Sequence, residues 1–165
     1  MIRTEYAIEM LTLLMKEKQI KKGIQLIIVA ACMAFLAGCA STTQYVPLPD
    51  QSKRIEDSSK ARIYVVRPTS FGGAVSFKVN DGDTLIGNTG PNGYLCWERP
   101  GGQMEVIGKA ENTSRLPVDV EQGTVYYIQQ HVRMGIMMSR NELSLLSEAE
   151  GKSKVSKCKP PKVKK

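Results

Sequence analysis

The chain predicts an all-β fold, a small antiparallel β-sandwich of about seven strands, and three observations carry that expectation. From Ala61 onward, short runs rich in β-branched and aromatic residues recur, the composition that suits a pleated, half-buried surface. Turn residues separate them at the close spacing of a sandwich. Within GAVSFKVN, Val75, Phe77 and Val79 fall on one face and Ser76, Lys78 and Asn80 on the other, the period of two of a half-buried strand.

The elements follow in order. ARIYVVRP opens the folded part and stops at Pro68, and GAVSFKVN is the second strand. Asp81-Gly82-Asp83 then supplies hairpin chemistry, because Gly accepts a positive φ at no steric cost. A short TLIG strand leads into the turn-rich stretch from Asn88 to Gly93, NGYLCWERP is the next strand, and Pro100-Gly101-Gly102 turns the chain again. QMEVIGKA, SRLPVDV and TVYYIQQHV complete the set, with Glu121-Gln122-Gly123 before the last. Leu143 to Leu146 is a candidate final strand, and Ser147 to Cys158 a short helix or a frayed hairpin. Pro160 and Pro161 stop regular structure, so PKVKK is expected to be disordered.

Upstream of this domain the order is that of a secretory signal. Lys16, Lys18, Lys21 and Lys22 make a basic opening, and the apolar segment from Leu26 to Ala37 is too short for a permanent span, which needs about 20 residues. Leu36-Ala37-Gly38-Cys39 resembles the processing box of bacterial lipoproteins. That resemblance implies cleavage between Gly38 and Cys39 and acylation of Cys39, with residues 1–38 removed. Each buried CH₂ contributes about 0.8 kcal/mol, so two or three acyl chains make a lasting anchor. Glu5 and Glu9 fit an n-region poorly, which favours translation from Met15; changing the Met15 codon should abolish the lipoprotein. Ala40 and Ser41 rather than Asp follow the cysteine, which by analogy with Gram-negative lipoproteins implies outer-membrane delivery, the domain facing the periplasm. In a Gram-positive cell the same box implies the outer face of the plasma membrane.

The mature chain of 127 residues suits one domain. Residues 39–60 are polar with Pro47 and Pro49, so they read as a lipidated N-terminus and tether. Such a tether reaches at most about 70 Å and averages about 25 Å as a coil. Seven lysines and no acid lie between Lys152 and Lys165, while the rest of the mature chain is slightly acidic. The basic balance therefore belongs to the tail, not to a folded basic face. Nucleic acid is a poor partner for an exported protein, which leaves anionic envelope polymers, anionic lipid or a protein as partners for Lys159, Lys162, Lys164 and Lys165.

ARIYVVRP, VNDGDTLIG, NGYLCWERPGG and TVYYIQQHV followed by Gly135 together resemble a family of bacterial lipoproteins defined by a domain of unknown function. The resemblance runs from about Ala61 to Lys159. It implies a transthyretin- or immunoglobulin-like sandwich over residues 61–158 and brings no activity. Gly101-Gly102-Gln103 stands where members often carry P-G-x-H.

Candidate chemistry is sparse. His131 is the single histidine, and an envelope hydrolase would have to use it. The serines lack a G-x-S-x-G elbow, Gly87 to Gly93 lacks the closing G-K-[ST] of a phosphate loop, and Asp81 and Asp83 lack the rest of a calcium loop. No metal and no cofactor is expected. Cys96 and Cys158, exported together, are expected to form a disulfide that pins the C-terminal segment to the sandwich. Asn112-Thr113-Ser114 formally fits a glycosylation acceptor. Tyr64, Tyr94, Trp97, Tyr126 and Tyr127 are candidates for a binding face, though Tyr126 and Tyr127 must point oppositely. Arg67 is expected to close a strand end through charged hydrogen bonds. The function that best fits is a lipid-anchored, non-enzymatic binding or structural module of the envelope. A periplasmic inhibitor or chaperone-like subunit is the alternative, expected to expose an apolar edge or patch.

Overall fold

A computed structural model of the chain describes residues 40–53, 55, 57–136 and 139–164. The predicted signal peptide, the Met15 start, Cys39 and Lys165 lie outside the described residues. The chain divides between Gly38 and Cys39, and every described residue belongs to the second unit.

Two sheets pack face to face. In chain order the strands are β1 (Thr43–Gln44), β2 (Lys60–Arg67), β3 (Phe77–Asp81), β4 (Thr84–Thr89), β5 (Gly93–Pro100), β6 (Gly102–Lys109), β7 (Thr113–Val120), β8 (Val125–Met134) and β9 (Ser139–Leu146). The helix α1 (Glu148–Val155) and the strand β10 (Lys162–Val163) follow. The first sheet runs β10-β1-β4-β3-β6-β7 and the second β5-β2-β8-β9. The inner faces meet in one core, with Ile63, Val65, Leu95 and Ile128 against Val79, Ile86, Val106 and Val118. Alternation along the strands makes this possible: Ile63 and Val65 turn inward while Tyr64 and Val66 turn outward into a second, smaller cluster.

The all-β sandwich expected from the sequence is present, with four differences. The sheets are mixed rather than purely antiparallel, because β2 lies parallel to β8 and β1 parallel to β10. The second strand begins at Phe77, not Gly73, because Arg67 draws the carbonyls of Phe71, Gly72 and Val75 into a loop.

Residues 40–48 are not a free tether but part of the sandwich. β1 pairs with β4, and the wholly buried Gln44 clamps the open edge of β5. Its Nε2 donates to the Cys96 carbonyl at 2.7 Å, and its Oε1 accepts from the Cys96 N–H at 3.0 Å. Val46 then packs on the main core and Leu48 on the outer cluster.

The C-terminal segment is likewise built in rather than disordered. Lys159 N–H donates to the Asn92 carbonyl at 2.7 Å, and Lys162 N–H to that of Thr42 at 3.0 Å, which places β10 beside β1. These bonds pin the segment as the expected disulfide was to do. Cys96 and Cys158 are free thiols in the structure, both lying in the outer cluster.

The second of the two expectations for Ser147 to Cys158, a hairpin, gives way to the helix. Ser147 Oγ accepts from Glu150 N–H, and the Glu150 carboxylate accepts from Ser147 N–H, a capping box that satisfies helix-end donors from both sides. Gly151 then lets α1 lie against the outer face of β8: a Cβ there would fall 2.1 Å from Tyr127 Cγ. Helix propensity alone would make Gly151→Ala stabilising by about 1 kcal/mol. The contact predicts the opposite sign, a loss of about 1–3 kcal/mol from overpacking, measurable by urea unfolding.

Candidate functional site

The outer face of the second sheet gathers three of the five candidate aromatics. Tyr64 stacks on Tyr127 with centroids 5.2 Å apart and planes 10° from parallel, and Tyr94 tilts against Tyr64 at 5.9 Å. They meet because β2 lies between β5 and β8, with Tyr64 opposite both Cys96 and Tyr127. The other two go elsewhere. Trp97 faces the core and donates its indole N–H to Asp81, and Tyr126 accepts from Glu121 N–H and donates to the Asp119 carbonyl. Tyr126 and Tyr127 thus point to opposite faces, as alternation requires.

Beside this stack opens a recess of about 720 Å³ whose wall includes Ser58, Arg62, Tyr64, Thr124, Tyr127 and Lys152. Its cations are already answered. Arg62 is buried and donates through Nε and Nη2 to one Glu98 oxygen at 3.0 and 2.7 Å, and through Nη1 to the Lys53 carbonyl. Burial opposes that charge, but Glu98 outweighs it and holds the guanidinium above its ordinary pKa. Lys152 pairs with Glu148 at 2.6 Å on α1. Burial raises the Tyr64 hydroxyl, helped by the Cys96 thiol, which burial itself pushes up to about 12. The recess therefore offers neutral hydroxyls, an aromatic wall and compensated charge. That chemistry suits a neutral, hydrogen-bonding ligand better than a phosphate.

His131 lies farther along the outer face of β8, half-buried. Its Nδ1 is 3.2 Å from the Gln129 amide nitrogen and its Nε2 2.9 Å from Ser144 Oγ. With Gln129 donating to Nδ1, the ring proton sits on Nε2 and is given to Ser144. Burial lowers the His131 pKa, with Glu142 acting the other way and Arg133 and Lys154 with it. We expect an NMR titration midpoint below about 6.5. Because the folded pKa is depressed, the stability held by neutral His131 is present above the unfolded pKa and is lost as pH falls through the folded one. His131→Gln should remove that acid-side loss.

Other sequence-derived candidates are engaged in structure. Asp81 holds Arg99 at 2.7 Å as well as Trp97. Asn112 exchanges side-chain hydrogen bonds with the backbone of Asn141. Lys159, Lys162 and Lys164 are exposed, on chain that is hydrogen-bonded to the sandwich. Among the described residues no group of three or more His, Cys, Asp or Glu side chains is placed to hold a metal. Gln44, Gly151 and the Ser147 cap were not singled out from sequence, although the S-x-x-E spacing of Ser147 and Glu150 was a legible cap signal.

The fold and this face define a small two-sheet β-sandwich with a tyrosine-lined recess roofed at one side by a C-terminal helix. Residues 57–142 match a family described as protein of unknown function (DUF2846), and the chain belongs to that family. An uncharacterized protein of Haemophilus influenzae is 26% identical over 105 residues, which is 63% of this chain and 62% of that relative. The match thus spans less than two thirds of the relative's length. Tyr64, Tyr94 and Tyr127 fall inside the family segment, whereas Gln44 and α1 fall outside it.

Proposed function

We propose that the chain is an exported lipoprotein, anchored through acyl groups on Cys39, whose sandwich is a non-enzymatic binding or structural module of the cell envelope. The observation that carries this reading is a lipoprotein box ending at Cys39, next to Ala40, whose N–H is already bonded to the Gly73 carbonyl of the sandwich. Outer-membrane delivery with the domain in the periplasm belongs to the same reading. The recess over Tyr64 and Tyr127 is the binding surface it favours, and the lysines of residues 159–164 are a second one. Intact-mass measurement on membrane fractions tests the anchor: the mature chain should begin at Cys39 with added acyl mass, lost in Cys39→Ser. Run with and without reductant, it also reads whether Cys96 and Cys158 become joined after export.

Binding is tested by cosedimentation with purified peptidoglycan sacculi. Deleting residues 159–165 would also remove β10, so Lys159, Lys162 and Lys164 are better changed to Gln, beside a recess-filling Thr124→Trp. Weaker sedimentation of either variant assigns the contact, and equal sedimentation of both discards the sacculus as partner.

A further inference from the structure

We infer that the end of the sandwich bearing Phe71, Met134 and Ile136 lies directly on the lipid bilayer. The inference rests on the acylation of Cys39 proposed above, and three structural facts carry it further.

The first is distance. With residues 40–48 packed on the sandwich, no slack separates the acylated residue from the domain. Cys39 is one peptide bond from Ala40, about 3.8 Å between Cα atoms. Ala40 N–H is held by the Gly73 carbonyl at 3.1 Å, and Thr42, two residues on, is buried with its Oγ1 accepting from Gly90 N–H. Acyl chains on Cys39 therefore draw the loop between β2 and β3 to the membrane surface.

The second is what this end exposes. Phe71, two residues from Gly73, is 50% exposed, and Met134, the last residue of β8, and Ile136, two residues beyond it, are 82% and 90% exposed. The two segments adjoin: a Cβ on Gly72 would stand 3.1 Å from Ser139 Oγ and 3.4 Å from Val132 Cγ1. Glu111 engages both flanks: its carboxylate accepts from Ile136 N–H and its own N–H donates to the Ser139 carbonyl. Large exposed apolar side chains on two adjoining segments suit shallow insertion among headgroups.

The third is charge. Lys109, Arg140, Lys159 and Lys162 are exposed around the same end, which also holds Glu111, whereas the far end mixes both signs, with Asp83 and Glu121 in its turns, Asp119 in β7 and Glu148 in α1 beside Lys60, Arg99 and Lys152. Exposed basic side chains are drawn to an anionic leaflet, which favours this end as the one that faces it. A second copy of the chain would match the apolar tips, but it would set this basic rim against itself.

The test uses the full protein purified from membranes and returned to vesicles of phosphatidylethanolamine and phosphatidylglycerol with brominated acyl chains. Phe71→Trp and Ile136→Trp place indoles on exposed positions, Asp83→Trp places one at the far end, and native Trp97 is the buried reference. Groups lying about 5–10 Å into the interface should lose about half or more of their emission to the bromines. That loss is expected for the indoles at 71 and 136, with those at 83 and 97 unchanged. Intact mass on the same sample separates the failures. Protein without acyl chains overturns the anchor and the inference together. Acylated protein with unquenched indoles at 71 and 136 overturns the inference alone, and does so in favour of a second copy if those indoles shift on dimerisation.

Discussion

Gln44→Ala is expected to lower unfolding stability by about 2–5 kcal/mol, although the residue sits in a polar stretch that composition marks as linker. The side chain is fully buried and acts as a substitute strand. One amide satisfies both backbone groups of Cys96, on the outer edge of the sheet, and its Nε2 also lies 3.2 Å from the carbonyls of Val46 and Pro47. Truncation strands a buried donor and a buried acceptor, each costing about 1–3 kcal/mol when left unmade. Gln44→Leu keeps most of the volume and should cost nearly as much. Gln44→Glu retains an acceptor for Cys96 N–H but turns a second carboxylate oxygen toward the Cys96 carbonyl, so it should not rescue. Urea midpoints for the three variants decide it. Changes within about 0.5 kcal/mol, ordinary for a solvated surface position, would mean that residues 40–48 are a tether after all.

This arm shows where sequence reading stops. The alternation of Phe77 and Val79, the Gly82 turn and the opposed Tyr126 and Tyr127 are local, and period and turn chemistry expose them, whereas Val75, expected on the same face, lies in the loop before β3. β1 and β10 are two residues each, too short to show a period. They exist because β4 offers an edge to Thr43 and Gln44, and these in turn offer one to Lys162 and Val163. The parallel pairing of β2 with β8 joins strands separated by five others, so nothing in the neighbourhood of either strand announces it. The recess suffers the same limit: each tyrosine is visible as a strand residue, but Tyr64 meets Tyr94 and Tyr127 only through that strand order. The disorder expected beyond Pro160 and Pro161 failed for a related reason, since composition and proline stops do not report the backbone hydrogen bonds that Lys159, Lys162 and Lys164 make.

Arg67→Met is expected to be the other severe change, at about 3–5 kcal/mol, and to act at the membrane-facing end as well as on stability. Arg67 is completely buried, and among the described residues it faces no carboxylate partner. Its charge is held instead by carbonyl dipoles: Nη1 donates to Val75 and Thr89 at 2.7 and 3.2 Å, and Nη2 to Phe71 and Gly72 at 3.0 and 2.8 Å. The guanidinium also stands 4.4 Å from the Phe77 ring centroid, and its Nε has no hydrogen-bond partner. Burial pulls its pKa down to about 10, which still leaves it charged at neutral pH. A hydrogen bond to a charged group is worth about 1.5–3 kcal/mol, but loop carbonyls regain water once released, which keeps the loss below the sum of four. Arg67→Lys should recover little, because one ammonium cannot span the strand carbonyl of Thr89 and three carbonyls of the loop together. The released loop carries Phe71 and the Gly73 carbonyl that holds Ala40. Amide exchange at Ala40 and Val75 should therefore rise far more than exchange in β8. In the Arg67→Met background, quenching of an indole at position 71 by brominated lipid should fall while that at 136 persists. A loss below 1 kcal/mol, or equal quenching at both positions, would show that the carbonyl cradle does not hold the loop in place.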